Sequence, residues 1–159
     1  MLGINKMEQF VRTKLLLGDE KVERIFNSKV TVVGLGAVGS FATEILARVG
    51  TGNLTLVDFD VVQESNINRQ LYALHSTINV KKVELAKNRV LDINPNCKVK
   101  TFDVFVNTDT FETIFSDKPD IVIDAIDSYN PKLRLLEYCY KNNIKIISSM
   151  GAALKTDPF

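Results

Sequence analysis

Residues 28–39 read SKVTVVGLGAVG, and this stretch decides the fold. Lys29 to Val33 is a short β-branched run that predicts a buried strand, and Gly34, Gly36 and Gly39 form a G-x-G-x-x-G turn that opens directly into a helical pattern. In such a strand–turn–helix unit Gly34 supplies the tight turn, Gly36 lets the backbone come close to a phosphate, and Gly39 lets the helix pack against the strand. The helix N-terminus then offers free N–H groups and a positive dipole to an anion. The stretch predicts a nucleotide without saying which one.

Working outward, 159 residues at 45% hydrophobic and 25% charged are enough for one domain with a core, and show no bias toward disorder. Lys+Arg 20 against Asp+Glu 19 gives no compositional support for wholesale nucleic-acid or membrane binding. Cys97 and Cys139 lie far apart, with neither a C-x-x-C pair nor a disulfide framework, which fits a reducing compartment. No apolar run reaches the roughly 18 residues of a membrane span, and Glu8 interrupts any signal-peptide core. A cytoplasmic protein without a membrane segment is expected.

The chain then alternates. Met7 to Leu17 and Glu20 to Phe26 carry helical spacing around a break at Gly18 and Asp19, giving an N-terminal helical arm over residues 1–27. After the glycine turn, Val38, Phe41, Ile45, Leu46 and Val49 form an apolar helix face ending at Gly50. Leu54 to Val57 is a strand, Glu64 to Gln70 a polar loop with a short turn of helix, and Asn79 to Ile93 a helix stopped by Asn94-Pro95. Val99 to Val106 reads as a strand, Thr108 to Phe115 as a short helix, and Ile121 to Ile126 as an apolar strand. Asn130 caps a helix with Pro131 at its first position, and Ile144 to Ser148 is the last strand. Strand and helix in turn predict an α/β fold: a Rossmann-like, doubly wound, mostly parallel sheet over residues 28–159. Nothing after Gly151 caps the sheet, so a domain truncated at its C-terminal end is expected.

In such a sheet ligands sit beyond the carboxyl ends of strands. Four places qualify: Gly34 to Gly39, Asp58, Asp124 with Asp127, and Ser148 to Gly151. Asp58 follows the glycine turn at about the 20-residue spacing at which a carboxylate receives a ribose, while Asp60 reads equally as a solvated turn. Asp127, ending the run IVIDAID, faces the phosphate end and can hold Mg²⁺ through oxygen, or else cap the next helix. Lys82 lies in the first turn of its helix, where a cation opposes the dipole unless an anion is near, and Arg69 sits in the preceding loop. A dinucleotide held at its pyrophosphate needs neither cation, whereas a triphosphate attacked at phosphorus needs both cations and Mg²⁺. Together they favour ATP. His75, the only histidine, reads as solvated or structural.

These residues resemble a known group. Gly34 to Gly39, Asp58-Phe59-Asp60, Ser65 to Gln70, Lys82-Val83-Glu84, Asp124 to Asp127 and Ser148 to Gly151 are similar to the motifs of the adenylating superfamily of ThiF, MoeB and ubiquitin-activating enzymes. Within it the similarity is greatest to the TcdA-type tRNA threonylcarbamoyladenosine dehydratases, through Arg12-Thr13, NINRQLYALHST, DAIDS with Pro131-Lys132, and SSMGA followed by Asp157-Pro158. The resemblance implies that the amides around Gly36 and Ala37 contact phosphates, that Asp58 receives the ribose, and that Arg69 and Lys82 meet the β- and γ-phosphates. It further implies that Asp127 binds Mg²⁺, that Arg12 reaches a partner's ATP across a homodimer, and that Asn66 and Asn68 shape the loop or touch phosphate.

The implied reaction is carboxylate activation. A substrate carboxylate attacks the α-phosphorus of ATP, and in the dehydratase the carboxylate belongs to threonylcarbamoyl on adenosine 37 of a tRNA, whose own carbamoyl group then closes a ring. An intramolecular nucleophile needs no catalytic cysteine, which agrees with a structural reading of Cys97 and Cys139. Three alternatives stand beside it: adenylation of the C-terminal glycine of a ubiquitin-like sulfur carrier, with a sulfur-transfer or carrier-protein partner; an NAD-dependent oxidoreductase; and a non-catalytic nucleotide-binding fragment. The carrier enzymes usually add zinc-binding C-x-x-C pairs, and these 159 residues contain none.

Overall fold

The computed structural model describes residues 8–150, and its centre is the strand that the glycine turn follows. β1 (Lys29–Val33), β2 (Asn53–Val57), β3 (Lys98–Phe102), β4 (Ile121–Asp124) and β5 (Lys145–Ser148) make one sheet. Its order is β3-β2-β1-β4-β5, and every neighbouring pair is parallel. The doubly wound sheet expected from alternation is therefore present.

Before the sheet come a 3₁₀ turn (Glu8–Phe10), α1 (Val11–Leu17) and α2 (Asp19–Asn27). Phe10 and Phe26 pack ring against ring at 5.1 Å, beside Gly50 and Gly52. This fixes the arm at the amino edge of the sheet. Gly18 alone breaks the pair of helices, so Asp19 belongs to the second one rather than to the turn; Met7 lies outside the described residues.

α3 (Ala37–Val49) and α4 (Lys82–Ile93) cover one face; α5 (Phe111–Ile114) and α6 (Tyr129–Lys141) cover the other. β1 feeds both cores because alternate side chains point to opposite faces. Val30 and Val32 join Ala47, Leu54, Leu56, Val83, Ala86 and Val90, whereas Val33 joins Val57, Phe111, Ile114, Phe115, Val122 and Leu135.

Several expected boundaries are corrected. The helix expected from Asn79 begins at Lys82, because Asn79 adopts φ 67°, its N–H donates to the Val62 carbonyl, and Val61 bridges Lys81. β3 stops at Phe102, where its five residues have matched the five of β2; Val104 and Val106 instead pack among the side chains under α5 and α6. The helix expected over 108–115 shrinks to Phe111–Ile114, since the Asn107 side chain accepts from the N–H groups of Asp109 and Thr110 and holds a turn. β4 ends at Asp124, not Ile126, and β5 starts at Lys145, not Ile144. α6 starts at Tyr129 with Ser128 as its N-cap residue, so Asn130 is not the cap and Pro131 takes the third position, still in the turn that lacks intrahelical partners.

The apolar face read on α3 is also corrected. Gly39, Ser40, Thr43 and Ala47 are buried, while Val38, Phe41 and Ile45 are about half exposed. Small residues face inward because the helix lies so close to the sheet: a Cβ on Gly39 would sit 1.7 Å from the Gly34 carbonyl oxygen.

Candidate functional site

β1 and β4 are adjacent in the sheet but far apart in sequence, and the chain leaves them toward opposite sides. That divergence opens a crevice at their carboxyl ends, the place where ligands bind in open α/β sheets. The loop 34–36 forms one wall and the loop 125–128 the other. Their contact is close. Gly34 has φ +88° and a Cβ there would lie 2.8 Å from the Ala125 carbonyl oxygen, so only glycine makes this turn against that wall.

Asp58 braces the turn from β2. One carboxylate oxygen accepts the Leu35 N–H at 2.6 Å and the other the Asp60 N–H at 2.8 Å. Burial at 8% exposure pushes its carboxyl up from the usual aspartate range, and these two N–H donors pull partly against that rise. Gly36 occupies the N-cap of α3, where no side chain caps the helix, and a Cβ there would meet only Gln70 Nε2 at 3.6 Å. The first-turn amides around Ala37 thus lack intrahelical partners.

Lys82 opens α4 and is 5% exposed; its ammonium donates to Asp60 at 2.9 Å, and its own N–H to the Asp60 carbonyl. A buried cation at the start of a helix is thereby balanced locally by one half-exposed carboxylate. The reading of Asp60 as a solvated turn residue is replaced by this ion pair.

The loop from Glu64 to Gln70 crosses over α3. Tyr72 donates its hydroxyl to the Ser40 carbonyl at 3.1 Å, and the Leu71 N–H donates to Ser40 Oγ. Asn66 is buried, its side-chain oxygen accepting the Gln63 N–H, so it shapes the loop. Arg69 is exposed and donates to the Ser65 carbonyl and to Asn68 Oδ1, each at 2.9 Å. Sequence reasoning missed Gln70, which is 9% exposed and lies against Gly36. Its burial arises from Tyr72 anchoring the loop, for which residue type alone gives no signal.

On the opposite wall Asp127 is exposed, its carboxylate accepting, among the described residues, only the Ser128 hydroxyl at 3.3 Å. It does not cap α6, so the capping alternative falls. Arg12, exposed on α1, belongs to the arm at the amino edge; within one chain it does not join Lys82 and Asp127. The part of Ser148 to Gly151 from Gly151 onward lies outside the described residues. Cys97 and Cys139 are buried and unpaired with each other, and burial pushes both thiols up to about 11. Among the described residues no helix is long and apolar enough to cross a membrane.

The chain is similar to known proteins in sequence and fold. The tRNA threonylcarbamoyladenosine dehydratase of Bacillus subtilis is 49% identical over 152 residues, covering 96% of this chain and 60% of that protein. The Escherichia coli dehydratase is 40% identical over 151 residues, covering 95% of this chain and 56% of its own length. A crystal structure of the E. coli dehydratase TcdA in complex with ATP superposes with a TM-score of 0.92 at 39% identity, covering 96% of this chain and 63% of that one. The molybdopterin-synthase adenylyltransferase of Salmonella typhimurium is more distant, at 33% over 158 residues. The chain thus spans about three fifths of the length of these relatives. The ThiF family model matches residues 10–159, from the arm through both walls of the crevice, and the chain accordingly belongs to the ThiF family.

Proposed function

We propose that this chain forms the ATP-binding part of an adenylating enzyme that dehydrates threonylcarbamoyladenosine at position 37 of tRNA in the cytoplasm. The observation that carries the reading is Lys82: a buried ammonium paired with Asp60, whose half-exposed carboxylate can give way to a phosphate oxygen. An NAD-dependent oxidoreductase has no use for it. Support also comes from the 0.92 TM-score to a dehydratase solved with ATP.

In this mechanism the uncapped amides of α3 receive phosphate oxygens, with Gly36 keeping a side chain out of the cradle and Gly34 and Gly39 letting turn, wall and helix close up around it. Asp58 holds the turn in shape and receives the ribose. Lys82 and Arg69 offset charge on the departing pyrophosphate. Asp127, whose carboxylate among the described residues meets only the Ser128 hydroxyl, would hold Mg²⁺ through oxygen, the ligand type a hard cation takes. No group of three or more potential ligands occurs among the described residues, so a metal here takes few ligands from protein. Bound Mg²⁺ supplies charge neutralisation on the polyphosphate.

The threonylcarbamoyl carboxylate oxygen bonds to the α-phosphorus as the bond to pyrophosphate breaks. A carbamoyl nitrogen or oxygen then attacks the activated carbonyl, AMP leaves with the electron pair of the broken acyl–oxygen bond, and the carbamoyl N–H proton passes to water. The chain's task is to hold the two reactants in line and offset charge. The buried, high-pKa thiols of Cys97 and Cys139 take no part.

We further assign the apolar stripe of Val38, Phe41 and Ile45 to a second copy of the chain. The stripe starts beside the glycine turn, so a partner seated on it stands next to the ATP crevice, the position from which its Arg12 could enter. Two measurements test the proposal. ATP should raise the melting temperature and NAD should not; the reverse sinks the adenylation reading. Threonylcarbamoyl-modified tRNA should stimulate ATP–pyrophosphate exchange and a diglycine-ended carrier protein should not; the opposite result assigns the chain to the carrier-activating enzymes.

A further inference from the structure

A buried ion pair lies behind the 125–128 wall, and the mechanism above does not use it. Asp124, the last residue of β4, is fully buried, and Lys132, in the second turn of α6, is 7% exposed. Lys132 Nζ donates to Asp124 Oδ2 at 2.6 Å, to the Ser149 carbonyl at 2.9 Å and to Ser148 Oγ at 3.3 Å. Ser148 Oγ donates to the same Asp124 oxygen at 2.6 Å, while Asp124 Oδ1 accepts the Ile126 N–H at 3.0 Å. The backbone closes the set: Ser149 N–H donates to the Asp124 carbonyl, and Ala125 N–H to the Val33 carbonyl.

Every polar atom in this cluster has a partner, and the cluster ties three chain segments together. It pins the 125–128 loop at both ends, at Asp124 before it and Lys132 after it, and fastens that loop to residues 148–149 beyond β5. The loop it pins carries Ala125, which presses on Gly34, and Asp127. A buried ion pair is a poor source of stability, because a well-packed apolar pair often does as well, but a fully bonded one fixes a single geometry.

We propose that Lys132, Asp124 and Ser148 form a positioning clamp that sets where Asp127 stands across the crevice from the glycine turn. Among the described residues the Asp127 carboxylate makes one weak hydrogen bond, so its place is decided by the ends of its loop. The proposal rests on the adenylation reading, in which Asp127 faces the phosphates.

The decisive variant is the double change Asp124→Asn/Lys132→Met in the intact protein, which removes both charges and so leaves neither buried alone. Hydrogen–deuterium exchange should quicken at least tenfold in residues 125–131 and 148–150 and stay unchanged in β1. The melting temperature and the Kd for ATP should stay near wild type, while kcat for pyrophosphate exchange with threonylcarbamoyl-modified tRNA falls about 100-fold, the order of loss that a 1 Å misplacement brings. Unchanged amide exchange in 125–131 overturns the clamp, as does unchanged kcat. Amide protection and activity falling everywhere in step with melting temperature reduce it to a fold staple and overturn the positioning role. A wild-type protein that neither binds ATP nor exchanges pyrophosphate removes the adenylation reading and the positioning role with it, whatever the amides do.

Discussion

Replacing Gly36 with alanine separates the fold from the ligand. A Cβ at Gly36 would have Gln70 Nε2 at 3.6 Å as its nearest neighbour, which is ordinary contact. No described residue clashes with the added methyl group. The methyl group, however, projects into the cradle where phosphate oxygens are proposed to lie against α3. Losing one charge-assisted hydrogen bond there costs about 1.5–3 kcal/mol, roughly a 10- to 100-fold weaker Kd for ATP. Gly39→Ala is the contrasting control. Its Cβ would fall 1.7 Å from a backbone oxygen, so helix and turn must part by about 1.5 Å to reach contact distance, destabilising the fold by about 1–3 kcal/mol or more. Calorimetric ATP titration and thermal melts on both variants give the answer. If Gly36→Ala binds ATP like wild type, the phosphates do not rest on this turn.

Other outcomes follow from the same geometry. Lys82→Met leaves only the half-exposed Asp60 unpaired, so stability should change by under about 1 kcal/mol while pyrophosphate exchange drops about 100-fold, measured by urea unfolding and isotope exchange. Equal mixing of Arg12→Ala and Lys82→Ala chains should restore about a quarter of wild-type activity, because half the dimers are mixed and each carries one intact site; no recovery removes Arg12 from the site. Both thiols are held near 11 against an ordinary value of 9.0. The folded pKa is raised, so their contribution is complete below about pH 9 and is lost as pH climbs toward 11. Stability should fall across that alkaline window, and iodoacetamide at pH 8 should label Cys97 and Cys139 only after unfolding. Rapid labelling of the folded protein would contradict their burial.

Much of this molecule is legible along the chain. The β-branched run before Gly34, the glycine spacing and the strand–helix alternation suffice for a doubly wound sheet, because parallel neighbours require crossover helices and glycine spacing is set by backbone geometry within one unit. The candidate residues Gly34, Gly36, Asp58, Lys82 and Asp127 can be picked out because they follow or precede elements whose ends the topology collects at one edge. Element boundaries read less well wherever a distant partner ended an element: Val61 bridging Lys81 delays α4, and β2 limits β3 to five residues.

What the sequence by itself determined is the fold class, the family-like motif order and the edge at which a ligand would sit. Tertiary structure alone decided which side of α3 is buried, that Asp60 belongs to Lys82, that Gln70 lies on Gly36, and that Lys132 reaches Asp124 and Ser148. The reason is the nature of the interactions. Periodicity and turn chemistry act between residues near in sequence, whereas burial and charge pairing depend on which surfaces meet, and those surfaces come from segments tens of residues apart.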